Sequence, residues 1–579
     1  MLKKYDRFEF SENKVTSQMG RQPSELEYTL LKHFHYSRYL CHPIPALRNI
    51  FSENNKPLLQ TESHTFIIGN KSKNSILKAS SLRTQHAYGL TPALRYEGTR
   101  STISVGIRKN DKTWVNPILG DESILFIHDG ANMKKVCSEL QKFDGSGIII
   151  VNAASLGNAL LDISKNSFGL DLTFSKIEDI EMLSNNKVCG ILCMGNQELL
   201  VKIKSLIDEQ GLICQIIGRY KSARFISLFI NNKMEANVSL ASFYSTEPTQ
   251  QTLTPIIKKP EKQLGTKIQK ELKNYSHIVL SIWKRVSEEK YGHLKPEKYS
   301  IGTTAIYHRN HHHIAIAVPD NRQLIENHIR SGSRILIANA SRQLVIKGYK
   351  PLGVTIIMHG RDLRKNDDQW EVQELYSGAK ETSRLLNMKL INPLITSDNP
   401  RPDLEVCVFG EKIDDAIGIN ESFQKEDDFI TMLGSHRGEL NGSLYQKEIQ
   451  KLSIESIPSV DLGMESRLQE VVLQGIQTQL IQSVSNVSNG GLVVAIAKSL
   501  SQSDKELGAR IHLSRKLRQD EMLFGETQGL VVVSIRESDL MEFERICMTI
   551  GVPSTTIGRV TGNGRLTFND VVNIGRDDL

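Results

Sequence analysis

The chain has 579 residues, too long for one ordinary domain and suited to about three to five of roughly 100–200 residues each. Hydrophobic residues make up 39% and charged residues 24%, ordinary for a soluble globular protein. The formal net charge is +7, a mild excess of 72 basic over 65 acidic residues. No run of five or six like charges forms a basic tail for nucleic acid, and no stretch of ~18 apolar residues crosses a membrane. The charge balance tolerates an anionic small ligand without demonstrating one.

Residues 1–19 read as an N-terminal extension. MLKKYDRFEFSENK has no apolar core after its lysines, which argues against a secretory signal and for a cytoplasmic protein. The seven cysteines, Cys41, Cys137, Cys189, Cys193, Cys214, Cys407 and Cys547, are odd in number and loosely spaced. Only Cys189 and Cys193 are close, with no second pair to complete a zinc site, so they read as buried thiols in a reducing compartment.

A first unit A spans 20–120 and a first unit B spans 121–245. In B, the alternating run CGILCM at 189–194 leads into the helical ELLVKIKSLIDEQG at 198–211, with Gly211 where a C-cap stands. TEPTQQTLTPIIKKPEKQLG at 246–265, rich in Thr, Gln, Lys and Pro, opens a linker over 246–275. A second unit A spans 276–425. Its AIYHRNHHHIAIAVP reads as a hairpin with His308 and His311, His312 and His313 at the tip, either a solvated turn or a metal contact across the hairpin. A helix ending at Gly348 and a strand follow, then a helix over 370–388 on which Val372, Leu375, Ala379 and Leu386 share a face. A second unit B spans 426–579, with GLVVVSI at 529–535 leading into ESDLMEFERICMTIG at 537–551. There Leu540, Phe543, Ile546 and Cys547 make one apolar face and Gly551 stands at the C-cap.

The two B units repeat. GLDLTFSKI at 169–177 matches GARIHLSRKL at 508–517, and IIGRYKSARFISLFINN at 216–232 matches TIGRVTGNGRLTFND at 556–570. Both pairs lie about 340 positions apart in the same order, so the chain reads as A, B, linker, A, B by internal duplication.

Six stretches carry a family resemblance. SNVSNGGLVVAIAKSL at 485–500, LFGETQGLVVVS at 523–534, IGRVTGNGRLTF at 557–568, GSHRGELNGSLY at 434–445, GRQPSELE at 20–27 and TESH at 61–64 fall in the family's order. Together the chain resembles a shortened, divergent synthetase chain of phosphoribosylformylglycinamidine synthase, of the aminoimidazole ribonucleotide synthetase-like superfamily. The resemblance implies an α/β (α+β) fold of two pseudo-symmetric A–B halves, with a central β-barrel of paired A units flanked by α/β B units. It implies a reaction in which ATP activates the amide oxygen of formylglycinamide ribonucleotide and ammonia displaces phosphate to give the amidine. Such chemistry needs metal-bridged phosphates and donors aimed at developing charge. ATP and Mg2+ are the implied cofactors, and a phosphorylated ribonucleotide the implied ligand.

The resemblance also places site residues, with departures. Gly490 and Gly491 open an apolar helix, where backbone N–H groups suit phosphate or where glycines only shape a turn. The family's His-Asp-Val-Ser-Asp-Gly-Gly reads here Ser485, Asn486, Val487, Ser488, Asn489, Gly490, Gly491. Asn486 and Asn489 can hydrogen-bond a phosphate but are poor magnesium ligands. Glu526 and Gln528 of GETQG are expected on one side of a strand, while Leu530 replaces an arginine, so one phosphate contact is missing; no cation is evident beside Asn486, Asn489 and the N–H groups after Gly490. In TESH, Glu62 is the implied metal contact and His64 the implied catalytic residue; the bare pattern equally fits a solvated strand face. Arg38 takes the ungapped place of a catalytic histidine, which a register shift restores to His33 or His35. Ser331, Gln343 and Ile356 stand where the family has an acid, an asparagine and an aspartate.

Two functional classes follow. One is an ATP-dependent synthetase of formylglycinamidine ribonucleotide, or an enzyme with another substrate on this scaffold. The other is a catalytically inactive homologue that binds or regulates a partner such as a full-length synthetase. No cysteine in a nucleophile elbow appears, so ammonia is expected from a separate glutaminase or from solution. The altered positions predict weak or absent magnesium–ATP binding. The surviving site is expected where Glu62 and His64 face Gly490, Gly491, Glu526 and Gln528, and a bulky residue at 491 is expected to abolish ligand binding in a folded chain.

Overall fold

The computed structural model describes residues 16–17, 19–41, 58–60, 64–72, 91–97, 101–109, 123–128, 147–151, 156–164, 169–184, 190–195, 197–209, 213–244, 271–288, 304–309, 312–319, 328–359, 366–391, 394–395, 403–413, 418–452, 456–503, 506–514 and 516–579. The chain divides into two compact units, Met1–Leu253 and Thr254–Leu579.

In the first unit, helix α1 (Glu25–Cys41) starts at a reciprocal capping pair. The Glu27 N–H donates to Ser24 Oγ at 3.2 Å, and the Ser24 N–H donates back to the Glu27 carboxylate at 2.9 Å. Arg21 forks onto that carboxylate at 2.8 and 2.7 Å and, with the Ser24 and Asn237 N–H groups, holds its pKa down to about 2 despite burial. This is the structural content of GRQPSELE. Strands β1 (Leu58–Gln60), β2 (His64–Ser72), β3 (Thr91–Glu97) and β4 (Ser101–Lys109) form an antiparallel sheet in the order β1-β2-β4-β3. A seven-stranded sheet follows, built from β5 (Ser123–His128), β6 (Gly147–Val151), β7 (Gly169–Phe174), β8 (Gly190–Gly195), β9 (Cys214–Lys221), β10 (Phe225–Ile230) and β11 (Lys233–Ser239). Helices α2 (Leu156–Ser164), α3 (Gln197–Glu209) and α4 (Leu240–Tyr244) accompany it. Leu30 and Phe34 of α1 join Leu172, Leu192 and Ile226 of the sheet in one core.

The second unit repeats the plan. After helix α5 (Ser276–Glu288), strands β12 (Thr304–Arg309), β13 (His312–Ala317), β14 (Tyr349–His359), β15 (Lys389–Leu390), β16 (Leu394–Ile395) and β17 (Asp403–Lys412) form a sheet in the order β12-β13-β17-β14-β15, with β16 also on β14. The hairpin expected around the histidines is β12–β13, which sets His308 opposite His313. Helices α6 (Ile329–Val345) and α7 (Asn366–Leu385) pack on this sheet and on each other. Among the described residues, each of the two A-type sheets is an open sheet.

A second seven-stranded sheet comprises β18 (Phe429–Leu433), β19 (Ile481–Asn486), β20 (Gly508–Ile511), β21 (Val531–Ile535), β22 (Ser554–Thr561), β23 (Arg565–Phe568) and β24 (Val572–Gly575). Helices α8 (Leu444–Glu448), α9 (Leu462–Gln477), α10 (Gly491–Ser501), α11 (Gln519–Phe524) and α12 (Leu540–Ile550) surround it.

The two seven-stranded sheets share one topology. Their orders are β6-β8-β5-β9-β7-β10-β11 and β19-β21-β18-β22-β20-β23-β24, corresponding strand for strand. Each has one parallel pair, β7–β10 or β20–β23. Each carries a bulge at the same place, between Ile124 and Leu125 or between Ile430 and Thr431. Glycines serve the same close approach: a Cβ on Gly218 would lie 2.2 Å from the Asp171 carbonyl oxygen, and one on Gly558 2.1 Å from that of Arg510. The duplication expected from spacing is therefore present in backbone detail. No helix among the described residues is long and apolar enough to cross a membrane.

Candidate functional site

The second unit brings Asn486, Gly490, Gly491, Glu526 and Gln528 close together, but their partners are other protein groups. Asn486 ends β19, and a turn leads to Gly490, the left-handed N-cap of α10 at φ 87°. Gly491 follows at φ 74°; a Cβ there would lie 2.6 Å from the Phe524 carbonyl carbon and 2.8 Å from the Leu523 carbonyl oxygen. The glycines thus let helix α10 seat against the end of α11. A bulky residue at 491 would meet the backbone at the end of α11. Asn489 is half-buried in the turn.

Glu526 and Gln528 lie in the connection after α11, before β21 begins at Val531. The strand placement expected for GETQG is therefore wrong, because Gly525 and Gly529 bracket a loop that reaches back over the α10 N-terminus. The Glu526 side chain, 6% exposed, accepts the Gly490 N–H at 2.7 Å and the Leu444 N–H at 2.8 Å. One carboxylate thus serves the starts of two helices, α10 and α8. Burial raises its pKa to about 7, against the pull of those two donors. Thr527 accepts the Arg437 and Glu439 N–H groups at 3.2 and 3.4 Å, and the Glu526 N–H returns to the Glu439 carbonyl at 2.9 Å. The loop after β18 is thereby fixed. In it, His436 accepts the Gly438 N–H at Nδ1 (3.0 Å) and lies 3.0 Å through Nε2 from the Met522 carbonyl, so Nε2 carries the proton. Burial lowers its pKa.

The charge missing from the sequence reading is Arg342, on α6 and 1% exposed. Its Nε donates to Asn486 Oδ1 at 3.1 Å and one terminal nitrogen donates to Gln528 Oε1 at 3.1 Å. The other terminal nitrogen bonds the carboxylate of Glu465 in the first turn of α9, itself 0% exposed. Gln469 donates to Glu465 at 2.8 Å and accepts from Ser341 at 2.8 Å; Asn486 donates to Asn339 at 2.7 Å; Gln528 donates to the Glu526 carbonyl at 3.0 Å. A continuous polar network therefore runs from α6 and α9 to the start of α10. The expectation that no cation stands beside Asn486 is corrected: a guanidinium does, and it faces a carboxylate of the same unit.

These residues do not fit a magnesium–phosphate group. Glu526 holds two backbone donors, Glu465 holds Arg342 and Gln469, and Glu439 holds Arg437 and the Ser459 N–H. No group of three or more His, Cys, Asp or Glu suited to a metal occurs among the described residues. Ile356 is core in β14, Ser331 is exposed, Gln343 is half-buried, and Leu530 is fully buried against the α10 core.

Glu62 lies outside the described residues, and so do the side chains of His64, His35 and Arg38. His33 is half-buried on α1, its pKa lowered by burial with Glu181 pulling the other way.

Residues 425–571 match the family described as AIR synthase related protein, C-terminal domain. Phosphoribosylformylglycinamidine synthase subunit PurL of Thermoanaerobacter sp. is 30% identical over 239 residues, 40% of this chain and 32% of that protein. The same subunit of Pelagibacter ubique is 24% identical over 486 residues, 77% of this chain and 64% of that protein. These matches span less than two thirds of either relative's length. Among solved structures, T. maritima PurL complexed with AMPPCP superposes with a TM-score of 0.58 at 12% identity, over 95% of this chain and 99% of that one.

Proposed function

We propose that this chain, which belongs with PurL to the AIR synthase-like superfamily, acts in purine biosynthesis as a phosphoribosylformylglycinamidine synthase-like protein with a phosphorylated ribonucleotide as its ligand. The carrying observation is the sequence likeness to PurL over 486 residues, which takes in 77% of the chain. T. maritima PurL has been solved with FGAR, with ATP and with ADP, and as PurLQS. By analogy, this chain takes a formylglycinamide ribonucleotide and a nucleotide, and receives ammonia from a separate glutaminase or from solution. The hydrogen bonds around Arg342 and Glu526 join the A-type and B-type parts of the second unit. The implied ligand contacts of Glu62 and His64 remain part of the proposal.

The test is complementation of a bacterial strain lacking PurL, paired with product formation by the purified chain from formylglycinamide ribonucleotide, ATP, Mg2+ and ammonium. Growth without purines and ATP-dependent amidine formation are expected. No growth and no turnover would sink this reading. A second reading is favoured by the Arg342–Glu465 closure: a non-catalytic homologue that regulates a true synthetase. Isothermal titration with ATP and Mg2+ separates the two. Tight, magnesium-dependent binding belongs to the enzyme, and absent binding with altered activity of an added full-length synthetase belongs to the regulator.

A further inference from the structure

We infer that Glu465 is a built-in anion: its carboxylate occupies, permanently, the place beside Arg342 where a ligand anion would neutralise a buried guanidinium. The second unit thus folds around a carboxylate of its own.

The grounds are geometric. Arg342 is 1% exposed and Glu465 0% exposed, so neither charge is compensated by water. A guanidinium is not deprotonated in proteins, and an isolated buried charge is strongly disfavoured, so Arg342 requires an anion. Its neighbours Asn486 and Gln528 offer neutral amide oxygens that orient the guanidinium but leave its charge uncompensated. Of the three side chains that the guanidinium bonds, Glu465 is the one that brings a negative charge. The glutamate is itself held, since Gln469 Nε2 donates to Oε1 at 2.8 Å while Oε2 takes the arginine. The same half shows the device a second time. The α10 N-terminus, which favours anions through its N–H groups, has Glu526 on the Gly490 N–H at 2.7 Å. Two anion-seeking features are each met by a protein carboxylate. A phosphate entering beside Arg342 would face the Glu465 carboxylate in a dry interior, where like charges repel most strongly. This inference concerns the second unit alone and stands apart from whether the chain turns over nucleotide.

Anion rescue tests it. Glu465→Ala deletes a CH2–COO− fragment, which acetate matches in size and charge. The full chain carrying E465A is expected to melt below the native chain. Acetate, titrated at constant ionic strength against chloride, should raise its melting temperature progressively, because a ligand that binds only the folded state stabilises it by mass action. The native chain and Glu465→Gln, whose amide fills the space without charge, should show no such response. If E465A does not fold in chloride, its refolding yield in acetate gives the same reading: acetate-dependent recovery supports the built-in anion, and no recovery in either salt counts against it. Equal responses of all three proteins to acetate, or no response of E465A, would overturn the inference. So would binding of inorganic phosphate to the native chain that is lost in Arg342→Met.

Discussion

Arg342 and Glu465 stand 123 positions apart in the sequence and meet with both side chains sealed from solvent. Helix α6 carries one and helix α9 the other, so the pair ties the A-type sheet of the second unit to its B sheet. Removing one partner of such a pair leaves a buried charge uncompensated. Arg342→Met or Glu465→Gln should therefore each cost about 3–5 kcal/mol in urea unfolding. The double variant R342M/E465M should lose less than the sum of the single changes. Additive losses would show that the two charges do not depend on each other.

Glu526 makes stability depend on pH. Its carboxyl rises from 4.5 to about 7 on folding. The folded state therefore holds a proton that the unfolded state has released between those values. The sign follows: this group's contribution is full below pH ~4.5, declines as pH rises toward ~7, and is lost above it, by about 3 kcal/mol at most. Glu526→Gln keeps an acceptor for Gly490 and Leu444 but cannot titrate. The stability difference between native chain and variant should fall with pH across that window; a difference constant from pH 4.5 to 7.5 would contradict the raised value.

Two glycines separate conformation from packing. Gly564 has φ 60° and nothing within 4 Å of an added methyl, whereas Gly491 has φ 74° and backbone at 2.6 Å. Gly564→Ala should cost only the left-handed backbone term, about 1–2 kcal/mol. Gly491→Ala adds a clash with the end of α11 and should cost clearly more by thermal denaturation. Equal losses would mean that the α10–α11 contact gives way easily.

Asn486 and Gln528 both accept hydrogen bonds from Arg342, which gives them a structural role. Asn486→Ala and Gln528→Ala should each destabilise by about 1.5–3 kcal/mol, the range for hydrogen bonds to charged groups. Any measured affinity for formylglycinamide ribonucleotide should remain within about threefold, well under 1 kcal/mol. A loss of binding of a hundredfold without a change in stability would return these residues to a ligand site.

Much of the fold is legible in the sequence because it rests on local patterns. The alternating runs at 189–194 and 529–535, the amphipathic helices after them and the paired Ile-Gly-Arg segments specify one module twice. The site is less legible, because a Gly-Gly helix start looks the same whether a phosphate or a glutamate of the same chain meets its N–H groups. Placing Glu526 and Gln528 on a strand fails because two bracketing glycines open a loop there. Arg342 does not announce itself as a buried cation, although a signal exists. It shares its helix face with Ile335, Ala338 and Val345, all buried, and Glu465 likewise aligns with Leu468 and Val472. A charge within an apolar stripe calls for a partner, but the sequence does not say which residue, 123 positions on, will supply it.

The identical wiring of the two seven-stranded sheets has a consequence for biosynthesis. A chain that encodes one strand order twice offers each emerging strand two homologous berths, and repeats are prone to exchange between them. The cross-strand charges discriminate on one side only. In the native pairings Asp171 lies opposite Arg219, with Arg219 Nε 3.3 Å from its carboxylate, while Arg510 lies opposite Arg559. Exchange of β7 and β20 would set Arg510 against Arg219, a pair of cations, yet would give Asp171 the equally welcome Arg559. Translation order then matters: the first repeat is complete, with Asp171 already engaged by Arg219 and Lys221, before the ribosome has made the strand that would compete for it.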